Sequence, residues 1–334
     1  MYGTDNLLEL LYKQTQQNNK TLLNCKENEL DKLLKEKRFL LRDKLKIDFY
    51  ENFNFTPILN KIETSTVEGH KLEKYDAEIL NGFIFPLYVI TPKIQKNKVI
   101  FYCNGHNKNG CISSFIRTEE EKKLNNSIPL KMAELGYTVV IPEFAGYGQM
   151  AMQNYENFNN ESSNLCYANA ANLLMYGLNL AGLRVFQAMK TLDLLYDKFG
   201  FKEIALYGIS GGGIVASYTC ALDSRINAGI ITCYPNIYKE SIMSRRHCIC
   251  NYVPDILAVG ECPEIISLAV PMPILVSNGN KDQLFPVNGT IKTIEQISNI
   301  YSRFNAQDNF MGEIFDGGHQ AHFEKVLDFL NKYL

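Results

Sequence analysis

The chain has 334 residues, of which 46% are apolar and 21% charged, and its formal net charge is −2 at neutral pH. Such a composition is typical of a globular protein with a large core, and it offers no electrostatic footprint for nucleic acid or an anionic membrane. No run approaches the roughly 18–20 apolar residues that span a bilayer, so we expect neither a membrane span nor a secretory leader. Nine cysteines without the spacing of a disulfide framework predict buried free thiols, as at Cys103, Cys220 and Cys233, and a cytoplasmic location.

Residues 1–54 are charge-rich and predict a helical extension. The stretch "ENELDKLLKEKRFLLRDKL" places five leucines near one helical face, with charged residues between them. Because the heptad is not sustained, packing on the main domain is favoured over a coiled coil or a partner-binding segment. We therefore predict this extension followed by one domain over 55–334.

The main domain reads as alternating strands and helices. "KLEKYDAEIL" and "FIFPLYVITP" predict an antiparallel start to a sheet. Short apolar runs such as "KVIFYC", "YTVVIPEF", "EIALY" and "MPILVSNG" then predict strands separated by helices. The stretch "ANLLMYGLNLAGLRVFQAMKTLDLLYDKFG" predicts one long helix, and "AHFEKVLDFLNKYL" predicts the last helix. Alternation of this kind predicts an α/β fold with a mainly parallel sheet flanked by helices.

Two irregular stretches, 149–172 and 237–270, interrupt the alternation. Both are expected at the carboxyl edge of the sheet, where ligands bind in open α/β folds. We predict that these insertions form a lid or a substrate pocket.

The stretch "YGISGGG" over 207–213 lies between a predicted strand and a predicted helix. It lacks the Lys-Ser/Thr of a phosphate loop and the G-x-G-x-x-G of a dinucleotide loop. It does match G-x-S-x-G, in which small neighbours allow a strained turn to expose a nucleophilic serine. We therefore predict that Ser210 is a nucleophile.

A serine hydroxyl needs a base, and on such a fold the acid and the histidine follow the serine in that order, each beyond a strand. Asp282 follows "PILVSNG" and His319 follows "GEIFDGG", so both fall where this template requires. Less well placed alternatives are Asp308, Asp316 and His322. The last of these falls in the predicted C-terminal helix.

An acyl-transfer site also needs two backbone donors for the developing oxyanion. The N–H of Gly211 directly follows the nucleophile, and the N–H of His106 is expected from the loop "NGHNKNG". The alternative for this loop is a plain Asn-Gly turn.

Two further patterns could suggest a metal. "RRHCIC" over 245–250 combines Cys-x-Cys with one histidine, but it lacks a second ligand pair, so a packed loop near the pocket is favoured. His319 and His322 form His-x-x-His without the glutamate of H-E-x-x-H. We predict no metal and no organic cofactor.

Taken together, these pieces resemble the α/β-hydrolases of the dienelactone hydrolase-like and acetyl xylan esterase-like group. In chain order, the matching stretches are "NGHNKNG", "PEFAGYGQ", "GLNLAGLRVFQAMKTLDLL" leading into "YGISGGG", "RRHCICNYVPDIL", "PMPILVSNGNKDQLFPV" and "FDGGHQ". The resemblance implies the triad Ser210, Asp282 and His319, with oxyanion donors at His106 and Gly211. It also implies hydrolysis of a carboxylic ester with a small acyl group.

At two places the sequence departs from the family's pattern, and these departures restrict the substrates that the resemblance implies. Dienelactone hydrolases proper use a cysteine nucleophile, whereas this chain has serine. Acetyl xylan and cephalosporin deacetylases commonly carry Arg-Gly-Gln-Gly where residues 145–148 read Ala-Gly-Tyr-Gly, which argues against a sugar acetate.

The sequence thus predicts a serine esterase acting on a small-molecule ester. A peptidase or acyltransferase with the same triad, and a non-catalytic binding protein on a hydrolase scaffold, are the alternatives. The oligomeric state is not predicted.

Overall fold

The computed structural model describes residues 3–116, 127–152 and 165–334, with the backbone alone at Leu165. The predicted insertion 149–172 therefore lies partly outside the described residues. Its described part consists of a short turn and the beginning of a helix.

A nine-stranded sheet forms the centre of the molecule, in the order β1-β2-β3-β5-β4-β6-β7-β8-β9. The strands are β1 Ile58–Val67, β2 His70–Leu80, β3 Phe83–Thr91, β4 Val99–Cys103, β5 Thr138–Pro142, β6 Ile204–Ile209, β7 Ala228–Thr232, β8 Ile274–Gly279 and β9 Phe310–Phe315. In this order, the pairs β1-β2, β2-β3 and β3-β5 are antiparallel. The remaining pairs, from β5-β4 to β8-β9, are parallel. The predicted antiparallel start and mainly parallel remainder are confirmed.

Helices cover the sheet on both sides. In the described part of the chain they are α1 Thr4–Asn18, α2 Leu30–Lys44, α3 Ile47–Glu51, α4 Ile128–Glu134, α5 Leu165–Met175, α6 Leu180–Asp197, α7 Gly211–Leu222, α8 Cys262–Ser267, α9 Val287–Arg303 and α10 Phe323–Tyr333. Alternate residues of β4 point into two buried clusters: Phe101 joins one with α6 and α7, and Tyr102 joins the other with α4 and α10. None of these helices is both long enough and apolar enough to cross a bilayer.

The predicted long helix over 171–200 is wrong, because the chain breaks there into α5 and α6. Gly177 has a φ of +71°, a left-handed conformation that glycine readily adopts at the end of a helix. Asn179 then caps α6, since its Oδ1 accepts a hydrogen bond from Gly182 N at 2.8 Å. The stretch therefore forms two helices, which are separated by residues 176–179.

The N-terminal segment contacts the helices of the main domain. Tyr50 stacks on Phe186 of α6, with ring centroids 5.2 Å apart. Lys37 of α2 and Glu264 of α8 form a buried ion pair with an N···O distance of 3.4 Å. The N-terminal residues thus contact α6 and α8, and the division into an extension over 1–54 and a domain over 55–334 stays a prediction.

Candidate active site

Ser210 lies at the turn between β6 and α7. Its φ of +53° and ψ of −118° are strained for a residue with a side chain. The turn is held by hydrogen bonds from Ser210 N to Thr232 O (2.9 Å) and from Gly213 N to Ser210 O (2.8 Å). A Cβ at Gly212 would lie 1.9 Å from Cys103 O, so only glycine allows this close approach of α7 to β4. The glycines of the motif thus permit the turn that exposes the serine.

His319 lies between Ser210 and Asp282. Its Nε2 is 2.9 Å from Ser210 Oγ, and its Nδ1 is 2.8 Å from Asp282 Oδ2. A carboxylate can only accept, so Nδ1 carries the proton and Nε2 is left as the acceptor for the serine hydroxyl. This is the arrangement in which a neutral imidazole can remove a proton from Oγ.

Asp282 is held firmly in the loop after β8. Its side chain is fully buried, and its Oδ1 accepts hydrogen bonds from Leu284 N (2.9 Å) and Phe285 N (3.1 Å). The His319 side chain is 30% exposed and stacks on the Phe285 ring at 6.0 Å. The loop therefore fixes both the carboxylate and one face of the imidazole.

The alternative residues make contacts elsewhere. His322 directly precedes α10 rather than lying within it, and its Nδ1 is 2.6 Å from Glu313 Oε1. Asp316 is exposed and pairs with Lys281 at 2.7 Å. Asp308 belongs to a short 3₁₀ turn that precedes β9. The structure therefore brings Asp282 and His319 to Ser210, and it directs the polar groups of His322 and Asp316 away from it.

Both residues that were predicted to supply the oxyanion donors lie near the serine. Gly211 is the first residue of α7, where N–H groups have no partner within the helix. A Cβ at Gly105 would lie 3.2 Å from the Ser210 Cβ, so the loop after β4 packs against the nucleophile. The His106 ring in turn lies against Gly211, since a Cβ there would be 2.5 Å from Nδ1. The loop conformation thus brings the two predicted residues together.

A cavity of about 870 Å³ opens beside Ser210. Its walls come largely from α5 and from the irregular stretch around residues 246–254. Apolar side chains on these walls include Leu174, Ile249, Val253 and Phe285. Polar groups include Asn179, Arg246, His247 and Asn251. The second predicted insertion therefore contributes directly to the pocket, as does the described C-terminal part of the first.

His247 contributes a neutral ring to this cavity. Burial, together with the charge of Arg245, lowers the pKa of His247 below its ordinary value. Its ring lies 5.1 Å from that of Phe285. The ring therefore lines the cavity without adding positive charge at neutral pH.

Among the residues that the structure describes, two groups of side chains could hold a metal ion. One consists of Cys233, Asp282 and His319 and so overlaps the histidine–aspartate pair. The other consists of His106, Cys166, Cys248 and Cys250, whose ligand atoms all lie within 4.8 Å of one another. Sequence reasoning missed the second group, because His106 and Cys166 come from distant segments and His247, the histidine of "RRHCIC", is not part of it.

Comparisons with known proteins agree with this architecture. No protein-family model matches the chain. The chain is 26% identical over 215 residues to "Putative hydrolase YtaP" from Bacillus subtilis (strain 168), a match that covers 61% of this chain and 67% of that protein.

Solved structures resemble the whole fold. A crystal structure described as "a putative acetyl xylan esterase" from Bacteroides fragilis NCTC 9343 has a TM-score of 0.76 at 16% identity, covering 97% of this chain and 94% of that one. "Methylesterase BT1017" has a TM-score of 0.65 at 20% identity, covering 92% of this chain and 63% of that one. At these identities the likeness establishes the fold, and the predicted α/β-hydrolase fold is confirmed.

Proposed function

We propose that this protein is a serine hydrolase that cleaves a carboxylic ester. The observation that carries the proposal is the chain of hydrogen bonds from Asp282 through His319 to Ser210, at a strained turn beside a cavity. The neighbours named as an acetyl xylan esterase and a methylesterase agree with it, since both names denote ester cleavage.

The reaction proceeds through an acyl-enzyme. Ser210 Oγ attacks the ester carbonyl while His319 Nε2 accepts its proton, and the N–H groups of His106 and Gly211 stabilise the oxyanion. The imidazolium returns the proton to the leaving alcohol, and Asp282 stabilises its charge. Water then attacks the acyl group, again with His319 as the base, and releases the acid and Ser210.

The volume and the lining of the cavity support a proposal for the kind of ester that binds. Its volume of about 870 Å³ exceeds the space that an acetyl ester alone needs. With a small acyl group at Ser210, the remaining space holds a bulky alcohol moiety that contacts apolar walls. Its polar groups, among them Arg246 and Asn251, supply hydrogen bonds to that alcohol.

Hydrolysis of p-nitrophenyl esters, from acetate to octanoate, tests this proposal. We expect turnover of the short-chain esters, and we expect Ser210→Ala to lower kcat/KM by about 1,000-fold or more because the nucleophile is lost. Ser217→Ala is the matched control, since this serine of α7 is buried and its hydroxyl donates to Gly213 O. Equal rates for wild type and Ser210→Ala, or no turnover at any chain length, would contradict the proposal.

A further inference from the structure

We propose that His106, Cys166, Cys248 and Cys250 bind one zinc ion in a closed tetrahedral site beside the active site. Among the described residues, this is the one group of four histidine, cysteine or acidic side chains whose ligand atoms converge. Three cysteines and one histidine are a common ligand set of structural zinc sites. The proposal does not depend on the esterase function.

The ligand atoms of these four side chains lie close enough together for one metal ion to reach all of them. The Sγ atoms of Cys248 and Cys250 are 3.3 Å apart, and His106 Nε2 is 3.1 Å from Cys250 Sγ. A tetrahedron with Zn–S bonds of about 2.3 Å has S–S edges of about 3.8 Å. The observed separations are shorter than such an edge, so the side chains would move apart by about 0.5 Å to bind the ion. All three cysteines are free thiols.

Much of the cluster is buried, and its ligands come from segments that are distant in the sequence. Cys166 and Cys250 are at most 2% exposed, and Cys248 and His106 are half-buried. The ligands come from three segments: the loop after β4, the first turn of α5, and the 3₁₀ turn around residue 250. A metal ion would join these segments through bonds that none of them makes alone.

Arg184 provides an independent indication of negative charge at this point. Its guanidinium is fully buried and donates hydrogen bonds to Ala145 O (2.8 Å), Tyr147 Oη (3.2 Å) and Cys166 Sγ (3.0 Å). The buried carboxyl group of Glu143 interacts with this charge, but no carboxylate of the described residues is among the hydrogen-bond partners of Arg184, and a buried cation requires a counter-charge. Three thiolates and one Zn²⁺ carry a single net negative charge, which balances Arg184.

The position of the site assigns it a structural role. Four protein ligands leave no open position for a water or a substrate, so the metal would not take part in the chemistry. His106 Nε2 faces the thiols, whereas its Nδ1 lies beside Gly211. The zinc would therefore fix the loop after β4 against the start of α7, and would fix the cavity wall formed by residues 248–250 at the same time.

Metal analysis of the full chain, purified without a histidine tag or chelator, tests the proposal. We expect about one zinc per chain by elemental mass spectrometry. X-ray absorption at the zinc edge should show three sulfur ligands at about 2.3 Å and one nitrogen at about 2.0 Å. Cys250→Ser should lose most of the zinc, while Cys220→Ala, which removes a buried thiol in α7, should retain it.

Several results would overturn the assignment. They are zinc-free wild type that stays metal-free after incubation with zinc under reducing conditions, full zinc retention by Cys250→Ser, and oxygen ligands at the zinc edge. Iron or copper in place of zinc, or a disulfide between Cys248 and Cys250, would also overturn it. If Cys250→Ser does not fold, the X-ray absorption spectrum of the wild-type protein by itself tests the zinc assignment. None of these readouts measures ester turnover, so the result is separate from that of the proposed function.

Discussion

At the scale of single residues, the site depends on two constraints. The backbone of Ser210 is held in a strained conformation that glycine neighbours permit. The carboxylate of Asp282 is fixed by two backbone N–H groups, so that its other oxygen faces His319 Nδ1. Both constraints act before any substrate binds, which is what preorganisation requires.

Asp282→Asn should disturb the tautomer of His319 without unfolding the protein. The amide oxygen can still accept from Leu284 N and Phe285 N, which leaves the NH₂ group facing Nδ1 and favours the wrong tautomer of His319. We expect kcat to fall by about 10⁴-fold while the melting temperature changes little. Asp316→Asn, at an exposed ion pair, is the control that should keep full activity. A loss below tenfold for Asp282→Asn would remove Asp282 from the proposed triad.

Glu143 shows the cost of a buried carboxyl group. It follows β5, and burial raises its pKa to about 7, although its two oxygens accept from Cys111 N. Because the folded state holds this proton more tightly than the unfolded state, its contribution to stability is largest below the ordinary pKa of 4.5. That contribution is lost as the pH rises towards about 7.

Glu143→Gln should remove this pH dependence. We expect the free energy of unfolding of the variant to exceed that of wild type at pH 8 by about 1–3 kcal/mol, and the difference to shrink towards pH 5. Urea unfolding at several pH values measures it, with the exposed Glu134→Gln as the control. A difference that does not grow with pH would show that the carboxyl group is not the cause.

At the scale of elements, the sequence patterns predicted the strands, turns and helices that depend on neighbouring residues. They did not predict features that depend on contacts between distant residues. The strand–turn–helix around Ser210 and the loops carrying Asp282 and His319 follow from apolar runs and turn residues. The break between α5 and α6 was missed because apolar residues continue through it, although Gly177 and Asn179 are ordinary stop and start signals. The cysteine cluster could not be predicted by spacing, since its ligands meet only in the folded chain.

Asn179→Ala should test how much the Asn179 side chain stabilises the start of α6. Asn179 caps α6 through Gly182 N and also donates to Lys44 O at 2.9 Å, so it links the main domain to the N-terminal segment. We expect a loss of about 1–2 kcal/mol in the free energy of unfolding. Asn172→Ala, at an exposed position of α5, is the control, and equal losses for the two variants would contradict the capping role.

At the scale of the whole molecule, the N-terminal segment shares a core with the main domain. Leucines of α2 belong to the same buried cluster as residues of α6 and α7. Lys37 Nζ donates to Asn19 Oδ1 at 3.1 Å and to Val259 O, and Glu264 Oε1 accepts from Leu22 N at 2.8 Å. Burial lowers the pKa of Lys37 and raises that of Glu264, so each charge depends on the other.

Lys37→Ala should therefore destabilise the whole chain. It leaves Glu264 buried without a cation, and we expect a loss of about 3–5 kcal/mol in the free energy of unfolding. The double variant Lys37→Met with Glu264→Gln should recover much of that loss, and Lys32→Ala, 80% exposed, should change little. If the double variant is as unstable as Lys37→Ala, charge burial is not the reason.

Covalent labelling tests most directly the central claim that Ser210 is an activated nucleophile. A fluorophosphonate reacts only with a serine that an adjacent base activates, so the wild-type chain should gain one adduct, mapped by peptide mass spectrometry to the segment containing Ser210. Ser210→Ala should gain none, and Ser217→Ala should react like wild type. A folded wild type that does not react, or an adduct that persists in Ser210→Ala, would contradict the proposed nucleophile.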